Sequence, residues 1–242
     1  ISFEDSGGSF GIKQAIMPMI ILTCLASKLS NKQVIWVEDR LEHLTAASSA
    51  TGRLTKLRAS INEKGLIEAL DYDQIDDVGA YPRAPEPASL YRMHGNLSGS
   101  YKVKNIRCRN RVVLTNKTPS GLNRGFGGPQ HYFALERLVH QISVELNLNV
   151  LDVIKVNLLE KKQFPYKSPS GALLDSGDFQ KLVKKVVKST TYKNILMKKN
   201  NAIKNGKIYG IGYSAIIEPS ISNMGYVTTA LPYQDREKTG HK

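Results

Sequence analysis

The sequence predicts an α+β fold. Three observations carry this: stretches of two-residue hydrophobic alternation, stretches of 3.6-residue spacing, and an order of the two that never becomes a regular strand–helix–strand succession. No internal repeat is present. The length of 242 residues suits one large domain or two modest ones.

The first residues, Ile1-Ser-Phe-Glu-Asp-Ser-Gly-Gly8, carry no initiator Met and read as the interior of a longer protein. From Lys13 to Leu29 the chain is apolar almost all round, which predicts a buried helix with Pro18 in its first turns. Gln33–Val37 is a short β-rich run and predicts a buried strand. Glu38–His43 then reads as a charged turn or short helix. Strand-like stretches at Arg53–Asn62 and Leu66–Gln74 flank Glu63-Lys64-Gly65, a hairpin signal with glycine where φ turns positive. Prolines at 82, 85 and 87 make Val78–Ser89 an extended loop. A further strand-like run, Arg109–Asn116, leads into the glycine-rich Asn123–Gln130.

Three helices follow on 3.6-residue spacing. Gln130–Leu146 places Phe133, Leu135, Leu138, Val139 and Ile142 on one broad face, Val150–Leu159 follows, and Phe179–Lys188 starts after Ser176 and Asp178, either of which suits an N-cap. Alternation returns through Ile208–Ile217 and again from Tyr226.

Composition narrows the function classes. The 41% hydrophobic and 23% charged content is that of a globular protein, not a disordered or fibrous one. Cys24 and Cys108 cannot form a disulfide framework and lack the C-x-x-C pairing of a zinc or iron–sulfur site, so a reduced, cytoplasmic setting is expected. The apolar run Ala15–Ala26 is too short to span a bilayer, and no signal peptide precedes it.

The net charge of +13 is local: nine lysines and no acid lie between Phe179 and Lys207. That pattern reads as a solvated face or one that meets an acidic partner. Nucleic-acid binding is disfavoured, because no recognition-helix, RNP or KH signature accompanies it. His131 and His140 lack metal-ligand spacing, so no metal site is assigned to side chains. Glu136–Arg137 reads as a surface or interface charge pair, and Met17, Met19 and Met93 as core fillers.

Two glycine-rich segments stand immediately before helices. Gly7-Gly8-Ser9-Phe10-Gly11-Ile12-Lys13 allows close backbone approach to an anion, or is a tight turn and nothing more. It matches neither the dinucleotide fingerprint nor the P-loop. Arg124-Gly125-Phe126-Gly127-Gly128-Pro129-Gln130 suits a planar or anionic ligand, or is a connection whose Pro129 opens a helix.

Together these segments resemble the molybdopterin-binding large subunits of the xanthine dehydrogenase / aldehyde oxidase / carbon monoxide dehydrogenase family. The first is similar to that family's G-G-G-F-G-x-K and the second to its R-G-F-G-G-P-Q. Ala84–Gly95 and Leu174–Phe179 are similar to the aldehyde-oxidising and CO-dehydrogenase-like branch. The resemblance runs over nearly the whole chain and implies the first molybdenum-cofactor-binding domain of a large subunit, mixed sheets with packed helices. Residues 1–204 would form that domain and 205–242 the incomplete start of a second.

The resemblance further implies that Gly8, Ser9, Phe10 and Gly11 present backbone N–H groups to the molybdenum end of the cofactor. Arg124, with Gly125, would approach the metal's oxygen ligand through its main chain. Phe126, Gln14, Arg92 and Tyr213 would face substrate. Gln14 stands where xanthine-type members carry glutamate, and no cysteine precedes Arg124 as in copper-using CO dehydrogenases. Aldehyde or N-heterocycle hydroxylation with water-derived oxygen is the reading left.

The implied cofactor is molybdenum–molybdopterin, with the cytosine dinucleotide among its candidate forms. The implied partners are an FAD-binding medium subunit, a [2Fe–2S] small subunit and the remaining C-terminal half of the large subunit, in a dimer of heterotrimers. The family's catalytic glutamate belongs to that C-terminal half, so no catalytic residue is assigned here, the isolated chain is expected to be inactive, and it would amount to about a third of a large subunit. The alternative is a non-catalytic split-subunit or assembly module that docks through its lysine-rich face.

Overall fold

The computed structural model describes residues 7–83, 92–125 and 127–218; the side chains of Gln14, Ala15 and Arg92 lie outside the described residues, as do 84–91 and Phe126 entirely. Helices and mixed sheets alternate without βαβ regularity, as expected of an α+β chain.

The hairpin forms where the alternation places it. β1 (Gly52–Ile61) and β2 (Ile67–Asp77) meet at a turn in which Gly65 has φ 75°. The Asn62 side-chain carbonyl accepts from the amides of Lys64 and Leu66, each at 3.0 Å, a short side chain closing its own turn. β3 (Asn105–Val113) lies against β2, giving the order β1–β2–β3. The cross-strand pairs Asp71–Arg107 and Asp73–Arg109 advance together along both strands, as parallel neighbours do. β3 therefore begins and ends earlier than the run Arg109–Asn116 suggests.

Helices begin and end on local signals. α1 (Met17–Ser30) carries Pro18 in its first turn, the position where a missing N–H costs nothing. α2 (Arg40–Ala46) is closed by a reciprocal capping box between Asp39 and Glu42. α3 (Gly128–Glu145) starts in the second glycine-rich segment, and α4 (Val150–Asn157) is capped by Asn149. A two-residue pairing of β4 (Tyr166–Lys167) and β5 (Leu173–Leu174) precedes α5 (Phe179–Lys188), whose N-cap is Asp178. α6 (Thr190–Lys204) follows at once behind the Ser189 cap, a helix that the spacing argument did not isolate.

The chain divides into two compact units. The first comprises Ile1–Lys56, Asp73–Met93 and Arg109–Gln130; the second comprises Leu57–Tyr72, His94–Cys108 and His131–Lys242. In the second, Leu70, Tyr72, Tyr101, Leu135, Val139, Ile154 and Leu158 form the centre of an apolar core. In the first, the buried guanidinium of Arg53 forks onto Asp76 at 2.6 and 2.9 Å, and the Asn110 amide donates to the same carboxylate at 2.7 Å. Gly79 turns there at φ 78°, where a β-carbon would stand 2.5 Å from the Thr118 carbonyl oxygen.

Several burial expectations are overturned. No residue of α1 is buried, and Leu29 is 78% exposed; Met17 is likewise exposed rather than a core filler. Gln33–Val37 forms no strand, with Ile35, Trp36 and Val37 all exposed. Phe133 is 77% exposed, because the inward stripe of α3 runs through His131, Leu135, Val139 and Ile142. Hydrophobicity marks a face that can be buried, but only a covering segment buries it. Ile208–Ile217 does run extended with alternating burial, yet no described strand pairs with it.

Candidate functional site

In the first unit, the two glycine-rich segments meet. Gly8, Phe10 and Gly11 have φ of 91°, 53° and 97°, so the turn curls in a left-handed sense that glycine tolerates and Phe10 tolerates only under strain. Ser9 is not among the positive-φ residues; its carbonyl accepts from Ile12 and its hydroxyl from the Lys13 amide, each at 3.2 Å. Among the described residues the amides of Phe10 and Gly11 have no acceptor.

The second turn curls in the same sense, with φ of 97° at Gly125 and 77° at Gly127. A β-carbon on Gly11 would come within 3.1 Å of the Leu122 carbonyl oxygen, so the two backbones touch where glycine removes the obstacle. The Arg124 guanidinium lies over the Phe10 ring, 5.6 Å from its centre, a cation–π contact on an exposed ring. Among the described residues no carboxylate pairs with Arg124 or Lys13.

Two polar details belong to the second segment and the first turn of α3. The Arg124 amide donates to the Asn123 side-chain carbonyl at 2.8 Å, an oxygen supplied by the neighbouring residue. Gln130, in the first turn of α3, donates to the Thr51 carbonyl at 2.9 Å, while its own buried Oε1 has no partner among the described residues. A buried acceptor of that kind costs about 1–3 kcal/mol when left alone. Free amides, a lone guanidinium and glycines that permit close approach suit an oxygen-rich anionic group; the orphaned acceptor suits an N–H donor on the same group.

Of the other expected site residues, Gln14 falls in the 3₁₀ turn Ile12–Ala15 and Arg92 in the turn Arg92–Asn96, without described side chains. Phe126 lies outside the described residues. Tyr213 belongs to the second unit, where its hydroxyl is 3.1 Å from that of Tyr192 and its ring stacks on His140. Burial and the Tyr192 hydrogen bond push its hydroxyl up to about 12.

The second unit holds a polar ladder that the sequence reading missed. Glu136 is buried, not a surface partner of Arg137: its Oε2 accepts from the Tyr101 hydroxyl and the Ala215 amide, each at 3.0 Å. One helical turn before it, the Tyr132 hydroxyl donates to the Ile217 carbonyl; one turn after it, His140 Nε2 is 2.9 Å from the Tyr213 carbonyl oxygen. Four helical residues rise about 6.0 Å and two extended residues about 6.6–6.8 Å, so side chains at i, i+4 and i+8 match alternate residues of the extended segment. The i, i+4 spacing of Tyr132, Glu136 and His140 was visible in the sequence, but its extended partner was not. His131 is fully buried between the rings of Tyr72 and Tyr132.

Burial raises the Glu136 carboxyl above its ordinary value of 4.5, against the lowering effect of its Ala215 and Tyr101 bonds and of His140. A raised folded-state value means the folded chain binds the proton more tightly than the unfolded one. Its contribution to stability is therefore present below pH 4.5 and is lost as pH rises through the raised value. Urea unfolding across that window should show this loss in the native chain and not in Glu136→Gln; an identical pH slope in the two would contradict the assignment.

Among the described residues, no group of three or more His, Cys, Asp or Glu side chains could hold a metal ion, and no helix is long and apolar enough to cross a membrane.

Comparison with known proteins gives the family of the chain. Residues 1–158 match the family model described as the molybdopterin cofactor-binding domain. The nicotine 6-hydroxylase large subunit of Paenarthrobacter nicotinovorans is 28% identical over 91% of this chain and 27% of its own length. The carbon monoxide dehydrogenase large chain of Hydrogenophaga pseudoflava is 30% identical over 78% of this chain and 24% of its own. The crystal structure of quinoline 2-oxidoreductase from Pseudomonas putida 86 superposes with a TM-score of 0.76 at 27% identity, covering 84% of this chain and 26% of that one. The chain thus spans about a quarter of the length of these relatives, less than the third expected.

Proposed function

The chain belongs to the molybdopterin cofactor-binding domain family, and from that premise we propose that its Phe10 and Arg124 turns hold the molybdenum end of a molybdopterin cofactor. Gly8, Ser9, Phe10 and Gly11 supply backbone amides to the cofactor's oxygen atoms, and Arg124 and Gly125 close the other side. The contact between the two turns, with two amides left without acceptors, carries the reading. Gln130 Oε1 accepts from an N–H of the same group, and Asn123 yields the Arg124 amide when that group binds. The cofactor supplies two-electron redox chemistry when bound; the chain orients it and places positive charge beside it.

The parent polypeptide is a molybdenum hydroxylase oxidising an aldehyde or N-heterocycle with water-derived oxygen, and the names of the nicotine and quinoline relatives support the heterocycle. Gln14, Arg92 and Phe126 belong to its substrate side. The rest of a large subunit supplies the general base, and FAD-binding and [2Fe–2S] subunits take the electrons. By itself the chain is inactive. The proposed boundary between residues 1–204 and 205–242 follows the end of α6, while residues 205–242 fall in one compact unit with His131–Lys204.

Molybdenum and pterin analysis of the protein purified from cells that make the cofactor tests the reading. Both are expected in a fixed ratio to one another; pterin-free protein without molybdenum sinks it.

A further inference from the structure

The extended segment 208–218 is half of a sheet edge. Residues 213, 215 and 217 are held on one side: the ladder on α3 takes Tyr213, Ala215 and Ile217, and the Ser100 hydroxyl donates to the Ala215 carbonyl. In an extended chain the backbone groups of alternate residues point to opposite sides. The other side therefore carries the N–H and C=O groups of Gly210, Gly212, Ser214 and Ile216, and among the described residues none of these has a partner. Side-chain bonds thus fix the segment as a strand while among the described residues its opposite edge stays open, a template for an added strand.

That edge borders a cleft of about 570 Å³, enclosed by Ile154 of α4, by Leu182, Val183 and Val186 of α5, and by Tyr192 of α6. The cleft is apolar, and Leu182 and Val186 are more than half exposed within it. At 100° per residue, Lys185 lies beside Leu182 and Lys184 beside Val187 around α5, so the apolar stripe is bordered by ammonium groups on both sides. Eight of the nine lysines of 179–207 are exposed, and among the described residues none pairs with a carboxylate. A concave cleft of this kind does not fit a planar bilayer or a duplex.

We propose that this cleft is a docking site for an extended segment of a partner polypeptide, one with alternating apolar side chains and acidic flanks. Its backbone adds to the open edge at Gly210–Ile216, alternate side chains enter between α4 and α5, and the flanking carboxylates meet Lys184, Lys185 and their neighbours. The site is independent of the cofactor reading and gives the lysine run a geometry.

The test uses the whole 242-residue chain and a fluorescent peptide of about nine residues, the length of a long strand, with sequence Asp-Glu-Val-Thr-Val-Thr-Val-Glu-Asp. Anisotropy should show binding, and hydrogen exchange at Gly210, Gly212, Ser214 and Ile216 should slow on adding peptide. Methylating alternate peptide nitrogens, or replacing its flanks by lysine, should each weaken binding by about tenfold or more. In Lys184→Glu/Lys185→Glu, exposed positions whose folding circular dichroism checks, the preference should move toward the lysine-flanked peptide. Equal binding of the methylated peptide overturns the strand, and equal binding of the lysine-flanked peptide overturns the charge pairing. Slow exchange at the four amides before any peptide is added also overturns it, because the edge is then already covered.

Discussion

Replacing Gly125 by alanine is expected to cut the molybdenum content of the protein several-fold while leaving most of the fold standing. At φ 97° an L side chain is strained whatever the space, at a cost of about 1–3 kcal/mol for a residue held in such a region. Here the space is also missing: a β-carbon would lie 2.6 Å from Pro129 Cδ and 2.8 Å from Cγ. A proline ring cannot rotate away, so relief requires moving the turn or the first residues of α3. Either displaces Arg124 relative to Phe10 and with it the amides proposed to face the cofactor. Gly7→Ala is the matched control, since among the described residues nothing lies within 4 Å of a β-carbon there. Metal and pterin analysis of the two variants beside the native protein checks this. Equal molybdenum in Gly125→Ala and Gly7→Ala would remove the second turn from the site.

The largest loss of stability is expected from Asp76→Ala, about 3–5 kcal/mol. Asp76 is fully buried and accepts both arms of Arg53, itself only 3% exposed, together with the Asn110 amide. Deleting the carboxylate leaves a desolvated guanidinium without its counter-charge, whereas the same pair at the surface would matter little. Arg53→Met combined with Asp76→Leu should recover part of the loss, because an apolar pair has no uncompensated charge. Chemical denaturation measures both. A cost below about 1 kcal/mol for Asp76→Ala would mean that water reaches this pair.

The candidate site was legible in unequal parts. The two glycine-rich segments and their place before helices could be read directly, because the positions that need positive φ announce themselves as glycine. Phe10 at φ 53° could not be read this way, since nothing local marks a phenylalanine for the left-handed region. Glu136 beside Arg137 has the look of a surface ion pair, and only the arrival of Tyr101 and Ala215 from other parts of the chain turns it into a buried acceptor. The same contrast holds between Leu135 and Phe133, two residues apart on α3, one fully buried and one exposed.

What the amino-acid order determined by itself was the local grammar: the Asn62–Gly65 turn, the Asp39–Glu42 capping box, the caps at Asn149 and Asp178, and the periods of the helices and strands. Each depends on groups within four or five residues of one another, so the backbone geometry settles it before distant segments meet. Tertiary structure alone decided that the Phe10 and Arg124 turns touch and that, among the described residues, the apolar surface of α1 is not buried and 208–218 is held by side chains and not by a neighbouring strand. Those outcomes depend on which surfaces distant segments bring together, and no periodicity within one segment encodes its neighbour.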